Sequence, residues 1–239
     1  MKRVAVLAAA LAVVIACGGV EQEAPMTETT TEEPLADIVS VAFESAAVFL
    51  ENEWVRVLRV TVEPGSEVPR HDASDRVVYA LSDYTIEWTE GEAPPTTKSW
   101  TAGQAHWHES GAHAVRNIGE SVAEYLVIER LGTALPAEAA PADDVQAAAP
   151  EHGSILLEND AVRVAEISLE PGQSTGPHPG AHRVVVALSD YTIQWTEGEA
   201  DPVEVSWSEG DAHWHEPGIH EVENIGDGPA RYLVVTLLQ

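Results

Sequence analysis

The chain repeats itself. Displaced by 107 residues, Leu50–Leu131 aligns with Leu157–Leu238 without a gap, and 46 of the 82 paired positions are identical. Ala80–Ile86 recurs intact as Ala187–Ile193, and Ala105–Glu109 as Ala212–Glu216. A period this long means two tandem copies of a small domain, because solenoid repeats run only ~20–50 residues. The 239 residues therefore divide into copies at 48–131 and 155–239. The segment between them, 132–154, is rich in Ala, Pro and acids and reads as an extended linker.

Within each copy, short runs alternate apolar and polar residues with a period of two. Val55–Val62 ends at Glu63-Pro64-Gly65, Arg76–Leu81 at Ser82-Asp83, and Tyr84–Trp88 at Glu90-Gly91. Further runs surround Ser99-Trp100, Ala105–His108, Ala114–Asn117 and Ala123–Leu131. No helical period of useful length interrupts them. Many short strands with regular turn signals predict an all-β chain of two sandwiches or barrels.

The N-terminus gives an address. Lys2 and Arg3 precede an apolar run from Val4 to Ala16, too short for ~30 Å of hydrocarbon but suited to a signal peptide, here 1–16. Val14-Ile15-Ala16-Cys17-Gly18 resembles the lipobox of bacterial lipoproteins, and Cys17 is the only cysteine. The resemblance implies export, cleavage after Ala16 and lipid on the Cys17 sulfur, with the outer membrane as destination in a Gram-negative host. Residues 17–47, rich in Thr, Glu and Pro, then read as a disordered acidic tether.

Charge narrows the partners. Twelve Lys and Arg stand against 40 Asp and Glu, a formal net charge of −28. A field of that sign repels nucleic acid and anionic membrane surfaces. The excess is uneven: copy two holds only Arg163, Arg183 and Arg231 as basic residues. The sequence shows no serine or cysteine nucleophile set, no phosphate loop and no dinucleotide fingerprint.

Pro64-Gly65-x5-His71, then Gly103, then Gly111-x-His113-x3-Asn117-x-Gly119 resembles the two motifs of the cupin superfamily, and copy two repeats the pattern from Pro171 to Gly226. The resemblance implies two jelly-roll barrels, a bicupin, each with a pocket at one mouth. Many cupins hold a divalent metal there (Fe, Mn, Ni, Cu or Zn) through two His and a Glu of the first motif and a His of the second. This chain departs from that set. Ala73 and Gly180 stand where the second histidine is due, and Arg76-Val77 and Arg183-Val184 where the glutamate is due.

Nine of the ten histidines fall in the copies. His182 follows His178 by four residues, as if replacing the lost ligand, so the candidate metal set of copy two is His178, His182 and His220. The weaker counterpart is His71, Asp75 and His113. His106 and His108 share one face of a strand, as do His213 and His215. If that face is the interior, these pairs are alternative ligands. If Trp107 and Trp214 point inward, as their apolar rings favour, the histidines lie outside or at the rim. Arg76 and Arg183 beside the histidine loop could hold a substrate carboxylate, and Tyr84 and Tyr191 could line the pocket. Three functions follow as expectations: an envelope-anchored bicupin binding a small ligand, with or without metal; a metal-dependent dioxygenase or isomerase working from copy two; or a structural module. The two copies are expected to pack as a pseudo-dimer, as fused subunits do.

Overall fold

Short alternating runs close into barrels when each strand has one face to bury. The computed structural model describes residues 35–132, 134–135 and 144–238. The segment expected to be a signal peptide, Cys17 and the expected tether up to residue 34 lie outside the described residues.

A four-residue helix, α1 (Ile38–Val41), opens copy one. Nine strands follow: β1 (Ala46–Glu51), β2 (Val55–Val62), β3 (Glu67–Ala73), β4 (Arg76–Ala80), β5 (Tyr84–Glu90), β6 (Thr96–Trp100), β7 (Ala105–His108), β8 (Gly111–Asn117) and β9 (Ala123–Arg130). Copy two repeats the plan with α2 (Val145–Ala148), β10 (Gly153–Glu158), β11 (Val162–Leu169), β12 (His178–Gly180), β13 (Arg183–Ala187), β14 (Tyr191–Glu197), β15 (Val203–Trp207), β16 (Ala212–His215), β17 (Gly218–Asn224) and β18 (Ala230–Leu237). Each copy folds into a five-stranded sheet (β1-β2-β9-β4-β7, or β10-β11-β18-β13-β16) facing a four-stranded one (β3-β8-β5-β6, or β12-β17-β14-β15). All named strands pair antiparallel. The all-β, two-barrel class expected from the sequence is the one observed.

Both copies start earlier than their sequence identity suggests. Asp37 caps α1 and Asp144 caps α2. The two aspartates are one period apart, and they bind Arg56 (2.8 Å) and Arg163 (2.7 Å). So residues from 37 to 47, read as tether, and from 144 to 154, read as linker, belong to the barrels. Their sequences have diverged at all but three positions, Asp37/Asp144, Ala42/Ala149 and Glu44/Glu151, which hid them from the alignment.

At their central strands the five-stranded sheets bury both faces. Every residue of β4 and of β13 is buried. Leu58, Val60, Val78, Tyr125 and Val127 point into barrel one, and Ile167, Val185, Tyr232 and Val234 into barrel two. The opposite faces meet each other: Val55, Val57, Val77, Tyr79, Leu126 and Ile128 form one core with Val164, Val184, Val186, Leu233 and Val235. Each such side chain is worth roughly 1.5–3 kcal/mol when fully removed from water. The contact is reciprocal, with β1 against β16 and β10 against β7, as in an isologous interface.

The Asn of the second motif is structural. Asn117, fully buried, donates from Nδ2 to Val62 O and Ser121 O (both 2.8 Å) and accepts from Gly119 N (2.9 Å). Asn224 does the same toward Leu169 O, Gly228 O and Gly226 N. Alanine at position 224 strands three backbone groups. Asn224→Ala should lower stability in urea denaturation by about 2–3 kcal/mol; a change under about 0.5 kcal/mol would contradict this role.

Candidate functional site

Strand alternation decides which side chains reach each barrel interior. On β13 these include Arg183 and Val185, and on β14 Tyr191, Ile193, Trp195 and Glu197. They face a cavity of about 360 Å³ in barrel two. The corresponding cavity of barrel one is only about 40 Å³.

The His-Trp-His strands face the opposite way from expectation. His106 and His108 line the cavity of barrel one, and His213 and His215 that of barrel two, while Trp107 and Trp214 pack into the core between the barrels. The assumption that an apolar ring must point into its own barrel fails because the outer face is itself buried. Inside, the imidazoles stack on indoles: His106 on Trp100 (3.6 Å between centroids), His213 on Trp207 (3.9 Å), and both His215 and His220 on Trp195 (4.8 and 4.5 Å).

The set His178, His182 and His220 does not assemble. His178 and His220 meet, with ring centroids 4.1 Å apart. His182 precedes β13 on the outer parity. Its ring lies against Trp54 and Trp214, and its Nε2 is 2.9 Å from Glu216 Oε2. The weaker set fails in the same way: His71 and His113 meet at 4.2 Å, but Asp75 accepts from Ser110 N at 2.7 Å, at the turn before β8. The alternative set, His213, His215 and His220, faces inward but is spread across two indoles.

A guanidinium occupies the space beside the paired histidines. Arg183 Nη1 donates to Ala181 O (3.0 Å) and Glu216 O (3.5 Å), and Nη2 lies 3.1 and 3.4 Å from the ring nitrogens of His220. Gly180 makes room for it. A Cβ there would collide with the Arg183 guanidinium and stand 2.8 Å from His220 Cε1. A divalent cation does not fit this arrangement. The expected glutamate is a cation, the second histidine is absent, and among the described residues no three His, Cys, Asp or Glu side chains converge as a ligand set.

Arg183 is 5% exposed and has no carboxylate in ion-pairing range among the described residues. Burial lowers its pKa to about 10, opposed by Tyr232 and Glu197. It stays charged at neutral pH. Arg76 in barrel one makes the same contacts, to Ser74 O (3.0 Å), Glu109 O (3.3 Å) and the ring of His113 (3.3 Å). Arg76 likewise has no carboxylate in ion-pairing range among the described residues, but there the next strand places an acid nearby. Glu129, with its side chain 2% exposed, pairs with Arg76 in register across β4–β9 and accepts from Arg56 at 2.7 Å. It is the main influence opposing the burial that lowers Arg76. In copy two the residue in register with Arg183 is Thr236.

Sequence reasoning missed Glu129 and Thr236, although the alignment shows the difference as a lost charge. Arg183 and Tyr191 do line the cavity of barrel two, as Arg76 and Tyr84 do that of barrel one.

The interior imidazoles are held neutral. Burial, reinforced by the neighbouring arginine, lowers His213 to about 4, His215 to about 3 and His220 to about 2. In barrel one His106 falls to about 3, chiefly by burial, His108 to about 4 and His113 to about 2. A histidine depressed in the fold contributes stability above its unfolded pKa of ~6.5 and loses it as pH falls from there toward the folded value. His215→Gln, neutral at every pH, should therefore lose less stability than the wild type between about pH 7 and about pH 4.5. Urea midpoints of the two proteins that fall in parallel would contradict a neutral His215.

No protein-family model matches the chain, and no curated protein matches it. Solved structures do. AerE from Microcystis aeruginosa superposes with a TM-score of 0.60 at 13% identity, covering 81% of this chain and 92% of that one. Oxalate decarboxylase of Bacillus subtilis, described with Mn(II) centres, gives a TM-score of 0.58 at 14% identity, covering 82% and 76%. A second oxalate decarboxylase structure, solved for its substrate binding mode, gives 0.57 at 14% over the same shares. At such identities the likeness concerns the fold, and it agrees with the strand order, the tandem copies and the spacing of the two motifs: the chain has the two-barrel cupin fold.

Proposed function

We propose that barrel two binds a small organic carboxylate at Arg183, and that barrel one is its structural partner. The observation that carries this reading is one site built twice in one chain. In barrel one the buried arginine has a buried glutamate beside it and almost no free volume. In barrel two the glutamate is a threonine and about 360 Å³ is open. A buried cation without a counter-ion is costly, and an anion in the cavity relieves that cost. Arginine presents a planar fork suited to a carboxylate. The cavity is of ligand size, with apolar and aromatic walls and few polar groups.

The reading is of a binding site. At neutral pH the imidazoles are neutral, each with one ring N–H to donate and one nitrogen to accept, and they serve as hydrogen-bonding and stacking walls. The lipobox resemblance adds an address: the barrels would act in the cell envelope, tethered through Cys17.

Seven tryptophans, three of them among the residues lining the cavity, make fluorescence a direct readout. Benzoate titrated into the full chain should change the emission saturably. Arg183→Met should weaken binding more than tenfold, roughly the loss of a charge-assisted contact, and Thr236→Glu should abolish it by supplying an internal carboxylate. Unchanged benzoate affinity in Arg183→Met would overturn the reading. For the address, Cys17→Ser should move the protein from the membrane to the soluble fraction; a variant still pelleting with membranes would show that Cys17 is not the anchor.

A further inference from the structure

The carboxylate reading leaves a second charge at the same cavity unexplained. The inward row of β14 ends at Glu197, which lines the mouth and is exposed. It stands in register with His220 across β14–β17, the residue whose ring touches the Arg183 guanidinium. Two other acids surround the mouth, and both are engaged. Asp144 binds Arg163 at 2.7 Å. Glu216 binds His182 at 2.9 Å and accepts from Trp214 Nε1 at 2.8 Å. Glu197 has no ion-pair or hydrogen-bond partner among the described residues. The cavity thus presents one uncompensated cation in its depth and one free carboxylate at its opening. Ile193, Val205, Val222 and Val234 supply apolar wall.

We infer that the ligand is a small zwitterion, with its carboxylate on Arg183, an ammonium group at Glu197 and an apolar body along the wall, as in an apolar α-amino acid. The inference rests on the carboxylate reading and narrows it. Long-range charge favours it independently. Copy two holds fifteen acids against three arginines, and such a field repels a plain anion approaching the mouth but not a net-neutral ligand. A dicarboxylate meets the same repulsion twice, and its second carboxylate would face Glu197.

Three probes of one shape separate the alternatives: 3-phenylpropionate, phenylalanine, which adds an ammonium group, and benzylsuccinate, which adds a second carboxylate. Titrated into the full chain at low salt, phenylalanine should bind tightest and benzylsuccinate weakest. Glu197→Gln should weaken phenylalanine about fivefold, the scale of one exposed ion pair, and should leave 3-phenylpropionate unchanged or slightly tighter. Arg183→Met should weaken all three, and circular dichroism checks that this variant is folded. If phenylalanine binds no better than 3-phenylpropionate, or is indifferent to Glu197→Gln, the zwitterion inference falls while the carboxylate reading stands. If Arg183→Met leaves all three unchanged, both fall. If no probe binds at millimolar concentration while benzoate does, the inference falls alone.

Discussion

The central strands of each five-stranded sheet have no face left for water, while the outer strands β1 and β10 stay largely exposed. One side fills its own barrel and the other closes against the second copy, so the shared layer of valine, leucine and isoleucine determines what each strand can do with its two faces. Large apolar rings such as Trp107 and Trp214 are accommodated between the barrels. The interiors are thereby released for histidine, tyrosine and arginine, side chains that a small barrel with a wet exterior would have to place at its rim. The polar interiors, and with them the candidate site, go together with the closure of each outer face against the other copy.

That interior chemistry then diverges between the copies at a few positions. Barrel one runs a chain of charges from Asp37 through Arg56 to Glu129, beside Arg76. In barrel two the corresponding arginine, Arg163, keeps its pair with the capping Asp144 but turns its other side to the exposed Glu158, because Thr236 offers no acid. Arg183 is left as a buried cation beside open space. A low dielectric makes an unpaired charge expensive, and natural structures tolerate such groups mainly where they do something. Replacing one glutamate by threonine accounts for the loss of charge. Gly180 stands where copy one has Ala73, beside the guanidinium.

Much of this fold was legible before any coordinates. The period of 107 residues, the turn residues and the alternation suffice for two all-β copies, and the Gly, His and Asn spacing for their barrel type. The copy boundaries were not legible, because α1 and α2 share little beyond their capping aspartates. Strand parity at His-Trp-His was misjudged for a physical reason: hydrophobicity states that a side chain is buried, not against what. His182 looked like a replacement ligand because it lies near His178 in sequence, yet four residues along this chain cross from β12 onto the other face of the barrel wall. Arg76 and Arg183 were singled out correctly as a repeated basic pair, but their difference resides in Glu129 and Thr236, on a strand distant in sequence.

The account's central claim is that Arg183 is an uncompensated cation open to an anion while Arg76 is not. Side-chain NMR of arginine Nε–Hε groups, assigned through Arg183→Met and Arg76→Met, reads both in one sample. On adding benzoate the account predicts a saturable shift of the Arg183 resonance with Arg76 unmoved. An unmoved Arg183 resonance, or equal shifts at both arginines, would contradict it.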